Sequence, residues 1–171
     1  MLRQTYDLPG SPHRLTVLGF GSPGTGRKAY LQAGLHADEF PGMLVLRILA
    51  AHLAEAEARG EVHSEILLVP QANPIGLAQT ETSFVSGRIE NGTGENFNRN
   101  YADLSDLGSL LLGPDAASNV ATIRAAMSAR LAAMQPEGAL AHLRHRLLTL
   151  CLLYTSPSPR DRTRSRMPSS A

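Results

Sequence analysis

A histidine and a glutamate three residues apart, His36 and Glu39, lie in the segment Gly34-Leu35-His36-Ala37-Asp38-Glu39-Phe40-Pro41. The apolar run from Ala29 to Leu35 precedes them and a helix-like run from Gly42 to Ala58 follows. The pair therefore stands where a strand ends and a helix begins. The strand end is rigid, the turn lets imidazole and carboxylate converge, and both donor types suit zinc. Pro41 fits the first helical turn, where a missing N–H costs little. A second pair at the same spacing, His52 and Glu55, falls inside the expected helix. Residues i and i+3 share a helix face, and that pair reads as a solvated polar patch.

Three further segments carry polar groups of chemical interest. Gln71-Ala72-Asn73-Pro74-Ile75-Gly76 contains an Asn-Pro turn starter. Gly94-Glu95-Asn96-Phe97-Asn98-Arg99-Asn100-Tyr101 sets an arginine fork beside neutral amide donors, the makings of an anion cradle. Arg88, in Ser86-Gly87-Arg88-Ile89, could polarise a carbonyl or stabilise an oxyanion; its plain alternative is an exposed loop arginine.

The elements that must position these groups follow from the apolar pattern. Leu15 to Phe20 and Ala29 to Leu35 read as short buried strands, separated by a glycine-rich turn at Gly21 to Gly26. Met43, Leu46, Leu49, Ala50 and Leu53 recur at helical spacing, so residues 42–58 are expected to form an amphipathic helix ended by Gly60. Ile66 to Val69 is a third strand, stopped by Pro70. The alternation strand–helix–strand argues for an α/β sheet with a crossover. A loop-like region runs from Gln71 to about Asp106, a length usual for functional loops. Helices are expected over Asn119 to Ala133, with Ser118 as candidate cap, and over Gly138 to about Leu150.

Length and composition set limits. A chain of 171 residues with 43% hydrophobic content suffices for one ordinary domain. The formal charge of +1 gives no global signal for nucleic acid or a membrane. It hides an asymmetry: Arg160, Arg162, Arg164 and Arg166 sit near the end against Asp161 alone, and the body is mildly acidic. A single cysteine, Cys151, excludes an intramolecular disulfide and a cysteine-based zinc site. With no signal pattern and no membrane-length apolar run, the expected location is the cytoplasm. From Tyr154 onward the sequence has no apolar periodicity. Residues 1–150 are expected to form the folded body of the chain. Residues 151–171 are expected to be a disordered tail of non-native sequence, of the kind that adapter or out-of-frame translation leaves at the end of a gene fragment.

Taken in order, strand–HADE–helix, strand–NP–loop, Gly-Arg and NFNRNY resemble the zinc carboxypeptidase superfamily, and within it the succinylglutamate desuccinylase/aspartoacylase family. The resemblance covers about residues 10 to 150. It implies a truncated three-layer α/β/α sandwich with a mixed, mostly parallel sheet, residues 1–150 being the N-terminal part of a zinc-hydrolase catalytic domain. His36 and Glu39 match the first two zinc ligands of that family, and Asn98 and Arg99 match its Asn-Arg pair for a substrate carboxylate. Arg88 matches the arginine at the scissile carbonyl. A third ligand, a histidine following a strand, and a later general-base glutamate have no matching position. His142 and His145 lie on an expected helix, not after a strand, and read as surface or packing residues. The function implied is zinc-dependent hydrolysis of an amide bond in an N-acyl amino acid or small peptide, with this fragment itself a poor enzyme. The expected partner is a small carboxylate-bearing substrate, not nucleic acid or membrane. The alternative is a non-catalytic binding module whose arginine-rich tail meets RNA or an acidic partner.

Overall fold

In the computed structural model, residues 1–22, 28–81, 84–109 and 113–154 are described. The arginine-rich tail from residue 155 and residues 23–26 of the expected glycine-rich turn lie outside them. The element order is β1 (Leu2–Asp7), β2 (Arg14–Phe20), β3 (Lys28–Gln32), α1 (Phe40–Ala58), β4 (Glu65–Val69) and α2 (Pro74–Leu77), followed by the short strands β5 (Thr80–Glu81) and β6 (Phe84–Val85). A 3-10 turn at Ser105–Ser109 then leads to α3 (Ala116–Ala133) and α4 (Gly138–Tyr154).

Four strands form one sheet in the order β1-β2-β4-β3. The side-chain period of two divides their apolar residues cleanly between its faces. Leu15 and Val17 of β2, Leu67 and Val69 of β4 and Tyr30 of β3 face α4, where Leu140, Leu143, Leu147 and Leu150 meet them. Leu18 and Phe20, Ile66 and Leu68, and Leu31 face α1 and pack on Leu46, Leu49 and Leu53. Burial on both faces explains why β2 and β4 read as near-continuous apolar runs. The three-layer α/β/α arrangement and the mixed sheet expected from the sequence are thus present.

The sheet is less parallel than expected. β3 pairs with β4 in parallel, across the α1 crossover. β1–β2 and β2–β4 are both antiparallel. The polar, exposed strand β1 (LRQTYD) escapes an apolar-pattern reading because it is a solvated edge. The region from Gln71 to Asp106 is not structureless either: it holds α2, the β5–β6 pair and the 3-10 turn.

Helix boundaries shift for local reasons. Asp115, not Ser118, caps α3, its Oδ2 accepting from the Ser118 N–H at 2.9 Å. α4 continues to Tyr154, beyond the expected stop near Leu150. α1 buries Met43 and Leu46, but its outer face carries exposed Phe40, Leu44, Val45 and Ile48, so it is less amphipathic than its core spacing suggested.

Candidate functional site

The site begins where β3 hands over to α1. Gly34 has φ +69°, a left-handed conformation that favours glycine, and a Cβ there would also displace the Met43 thioether 2.5 Å away. The chain leaving β3 is stitched to the segment leaving β4: Ala33 N–H donates to Val69 O at 3.0 Å, and Ala72 N–H to Ala33 O at 2.8 Å. Asn73 is fully buried; its Nδ2 donates to Leu35 O at 2.9 Å, and its Oδ1 accepts from Gly76 N–H at 2.8 Å. The Asn-Pro motif is therefore more than a turn starter. One face of the amide caps α2, and the other fixes the carbonyl next to His36.

The second wall comes from a hairpin-like fold of residues 88–97. Ile89 and Asn96 form an antiparallel bridge, Glu90 N–H donates to Glu95 O at 2.8 Å, and Phe97 N–H donates to Arg88 O at 3.1 Å. Phe97 anchors this fold, fully buried in the core beneath α4. The two walls meet at Ala37 N–H, which donates to Gly87 O at 2.8 Å.

These contacts bring four side chains together. Arg88 Nη1 donates to His36 Nδ1 at 2.8 Å, and Arg88 Nη2 donates to Glu39 Oε1 at 2.6 Å. His36 Nε2 lies 3.0 Å from Asn96 Oδ1. An arginine is always a donor, so His36 Nδ1 presents its lone pair and Nε2 carries the proton given to Asn96. His36 Nδ1 and Glu39 Oε1, 3.3 Å apart, are then two lone-pair donors that both face the Arg88 guanidinium. Two tetrahedral zinc ligands at usual bond lengths stand about 3.4 Å apart, so this donor pair fits a zinc ion. Asp38 Oδ2 adds negative charge 3.5 Å from Arg88 Nη2. Among the described residues no group of three or more His, Cys, Asp and Glu side chains is placed to hold a metal.

Glu39 is the N-cap residue of α1, yet its side chain makes no capping bond. Its carboxylate turns to Arg88, and that hydrogen bond holds it below the usual carboxylate range. Beside Arg88, a cleft of about 540 Å³ opens between the walls, lined by Asp38, Ser86, Gly87, Arg88, Glu90 and Asn91, among others.

The other sequence candidates are placed differently. Asn98 and Arg99 follow Asn96 on an exposed turn. Asn98 N–H donates to Asn96 Oδ1 at 2.8 Å, and Arg99 Nη1 to Asn98 O at 2.8 Å. No hydrogen bond or ion pair joins Arg99 to His36, Glu39 or Arg88. His52 and Glu55 are exposed on α1, as a solvated patch would be. His142 and His145 donate to backbone carbonyls, of Gly138 at 2.8 Å and Leu131 at 2.9 Å. Two residues with a part here were missed by sequence reasoning. Asn96 gave no signal of its own. Arg144, whose Nη2 donates to Asn96 O at 2.8 Å, did, as a charge on the α4 face that carries Leu140, Leu143 and Leu147.

Comparison with family models matches residues 25–140 to the succinylglutamate desuccinylase/aspartoacylase catalytic domain. That match spans more than half of the chain. The chain belongs to this family. Among solved structures, a succinylglutamate desuccinylase/aspartoacylase family protein from Shewanella amazonensis is similar, with a TM-score of 0.72 and 25% identity over 90% of this chain. A second, from Shewanella frigidimarina and named after the same two enzymes, shares the fold at a TM-score of 0.72 and 22% identity, again over 90% of this chain. The chain spans 44% of the length of each of these family structures. No curated protein matches. Among the described residues, no helix is long and apolar enough to cross a membrane.

Proposed function

We propose that residues 1–150 form the first part of the catalytic domain of a zinc-dependent amide hydrolase of this family, acting on an N-acyl amino acid or small peptide. The observation that supports this reading is the 3.3 Å spacing of His36 Nδ1 and Glu39 Oε1, a pair that in this structure accepts from the Arg88 guanidinium, which a bound zinc ion would displace. Family membership supports hydrolase and deacylase chemistry for the whole protein. In the proposal His36 and Glu39 hold the zinc ion. Bound there, zinc supplies a water of near-neutral pKa and polarises the scissile carbonyl. Arg88 stabilises the negative charge that develops on the carbonyl oxygen as water adds to its carbon. Asn98 and Arg99 grip the substrate carboxylate, the arginine by its planar fork. In this reading the described residues supply two ligands and no assigned general base, so the chain should be a poor enzyme by itself. The competing reading, a binding module with a basic tail, rests on Arg160 to Arg166, which lie outside the described residues.

Calorimetric titration of the full chain with zinc tests the metal pair. His36→Ala should weaken binding by more than about 100-fold, the upper end of what an outer partner of a ligand is worth. Unchanged affinity would remove His36 from the site. The carboxylate role is tested with Arg99→Ala and a pair of N-acyl amino acids, one with a free carboxylate and one amidated. Losing a hydrogen bond to a charged group costs about 1.5–3 kcal/mol, so binding of the free acid should fall about 10- to 150-fold while the amide is little affected. Equal losses on both would contradict that role.

A further inference from the structure

Arg144 is a charged side chain in an apolar place. It lies on α4 between Leu140, Leu143 and Leu147 and is 8% exposed. Its fork makes two bonds to one loop: Nη1 donates to Glu95 Oε2 at 2.8 Å, and Nη2 to Asn96 O at 2.8 Å. Its Nε is buried with no partner. Burying an arginine this way is costly, and an apolar residue of similar volume at such a position is often neutral or stabilising. Stability is therefore a poor reason for its presence.

What the fork does fix is geometry. Glu95 Oε2 also accepts from Asn100 Nδ2 at 3.0 Å, and Asn100, at φ 55°, turns the chain back to allow it. The loop is thus held on both sides of the Glu95–Asn96 peptide. Asn96 is the residue whose Oδ1 accepts from His36 Nε2. With its main chain held by Arg144 and its Oδ1 also accepting from Asn98 N–H at 2.8 Å, the Asn96 amide is turned toward the imidazole.

We propose that Arg144 is a positioning residue: by clamping Glu95 and Asn96 from α4 it holds the acceptor of His36 Nε2–H in place and so, together with the Arg88 donor at Nδ1, fixes the ring and tautomer of His36. This rests on the reading of His36 as a metal ligand, but its primary readout does not need the metal. A planar fork is required, because a lysine ammonium is a single point donor on a flexible stem and cannot hold a carboxylate and a carbonyl in one plane. Outer partners that orient a metal-binding histidine typically change metal affinity 10- to 100-fold, about tenfold being expected here because Arg144 acts through Asn96.

The test uses the full 171-residue chain, labelled with 15N, and long-range proton–nitrogen spectra of its imidazoles. The wild type should show His36 protonated on Nε2. In Arg144→Met, Arg144→Lys and Glu95→Gln, His36 should become a mixture of tautomers, and zinc affinity should fall about tenfold. His145, bonded to Leu131 O, should keep its own signature and serves as the check on folding. A variant that keeps the His145 signature together with a wild-type His36 tautomer overturns the proposal. If Arg144→Met loses the His145 signature, Glu95→Gln, at a side chain 40% exposed, decides alone. A wild type that binds no zinc, with the tautomer change present in the variants, would sink the metal reading and keep the clamp.

Discussion

Gly87→Ala is expected to pull the two walls of the site apart. A Cβ at this position would run into Ala37 Cβ and lie 2.7 Å from Ala37 Cα and 2.8 Å from its carbonyl carbon. Main chain of this kind cannot yield as the end of a flexible side chain can. Gly87 O is also the acceptor for Ala37 N–H, so the clash falls on the bond that joins the walls. Overpacking of this sort costs about 1–3 kcal/mol. The larger effect is on alignment. Ala37 follows His36 and Arg88 follows Gly87, so any separation appears directly in the 2.8 Å His36–Arg88 contact. A misplacement of about 1 Å can cost about 100-fold in an oriented reaction, and zinc affinity should drop steeply with it. Crystallography of the variant with a zinc titration checks this. Wild-type affinity with an unchanged Ala37–Gly87 spacing would show that the close approach is incidental.

Phe97→Ala should give a large loss of stability. Phe97 is fully buried beside Leu8, Val69 and the α4 leucines, at the point where the 88–97 fold enters the core. Truncating a buried phenylalanine costs about 3–5 kcal/mol, from lost burial and the cavity left behind. For a domain whose net stability is only about 5–15 kcal/mol, that is a substantial share. Phe97→Leu keeps most of the volume and should cost much less. The main-chain bond from Phe97 to Arg88 O ties this anchor to the site, so the alanine variant should also loosen Arg88 before the sheet melts. Urea unfolding with hydrogen exchange at residues 88–97 reads both effects. A loss below about 1 kcal/mol would mean that the aromatic ring is not the anchor of this loop.

These two sites also show what the sequence could and could not disclose. β2, β4 and the core face of α1 were legible because burial on one or two faces leaves a period-two or helical pattern. β1 was not, because a solvated edge strand needs no apolar residues. The sheet's pairing sense was misjudged as well: β1 and β4 both pair antiparallel with β2, and apolar periodicity says nothing about strand direction. Within the site, the spacing of His36 and Glu39 at a strand-to-helix junction was readable; the resemblance implied that Arg99 shares their cleft and set Arg88 at the reacting carbonyl, whereas the hydrogen bonds of the pair are to Arg88. Asn73 looked like a turn residue because the sequence does not say that Leu35 O lies against its amide. Asn96 was passed over for Asn98 and Arg99, yet it is Asn96 that touches His36. Arg144 could have been noticed: a lone charge among Leu140, Leu143 and Leu147 asks for a buried partner.

The central claim is that His36 Nδ1 and Glu39 Oε1 form one cation site, and residue-resolved imidazole spectra of the chain during zinc addition test it most directly. The account predicts that zinc moves the Nδ1 resonance of His36 first and leaves His52, His142 and His145 in place, and that Glu39→Gln abolishes the response. A zinc response at His52, or at the helix histidines 142 and 145, with His36 unmoved would contradict it.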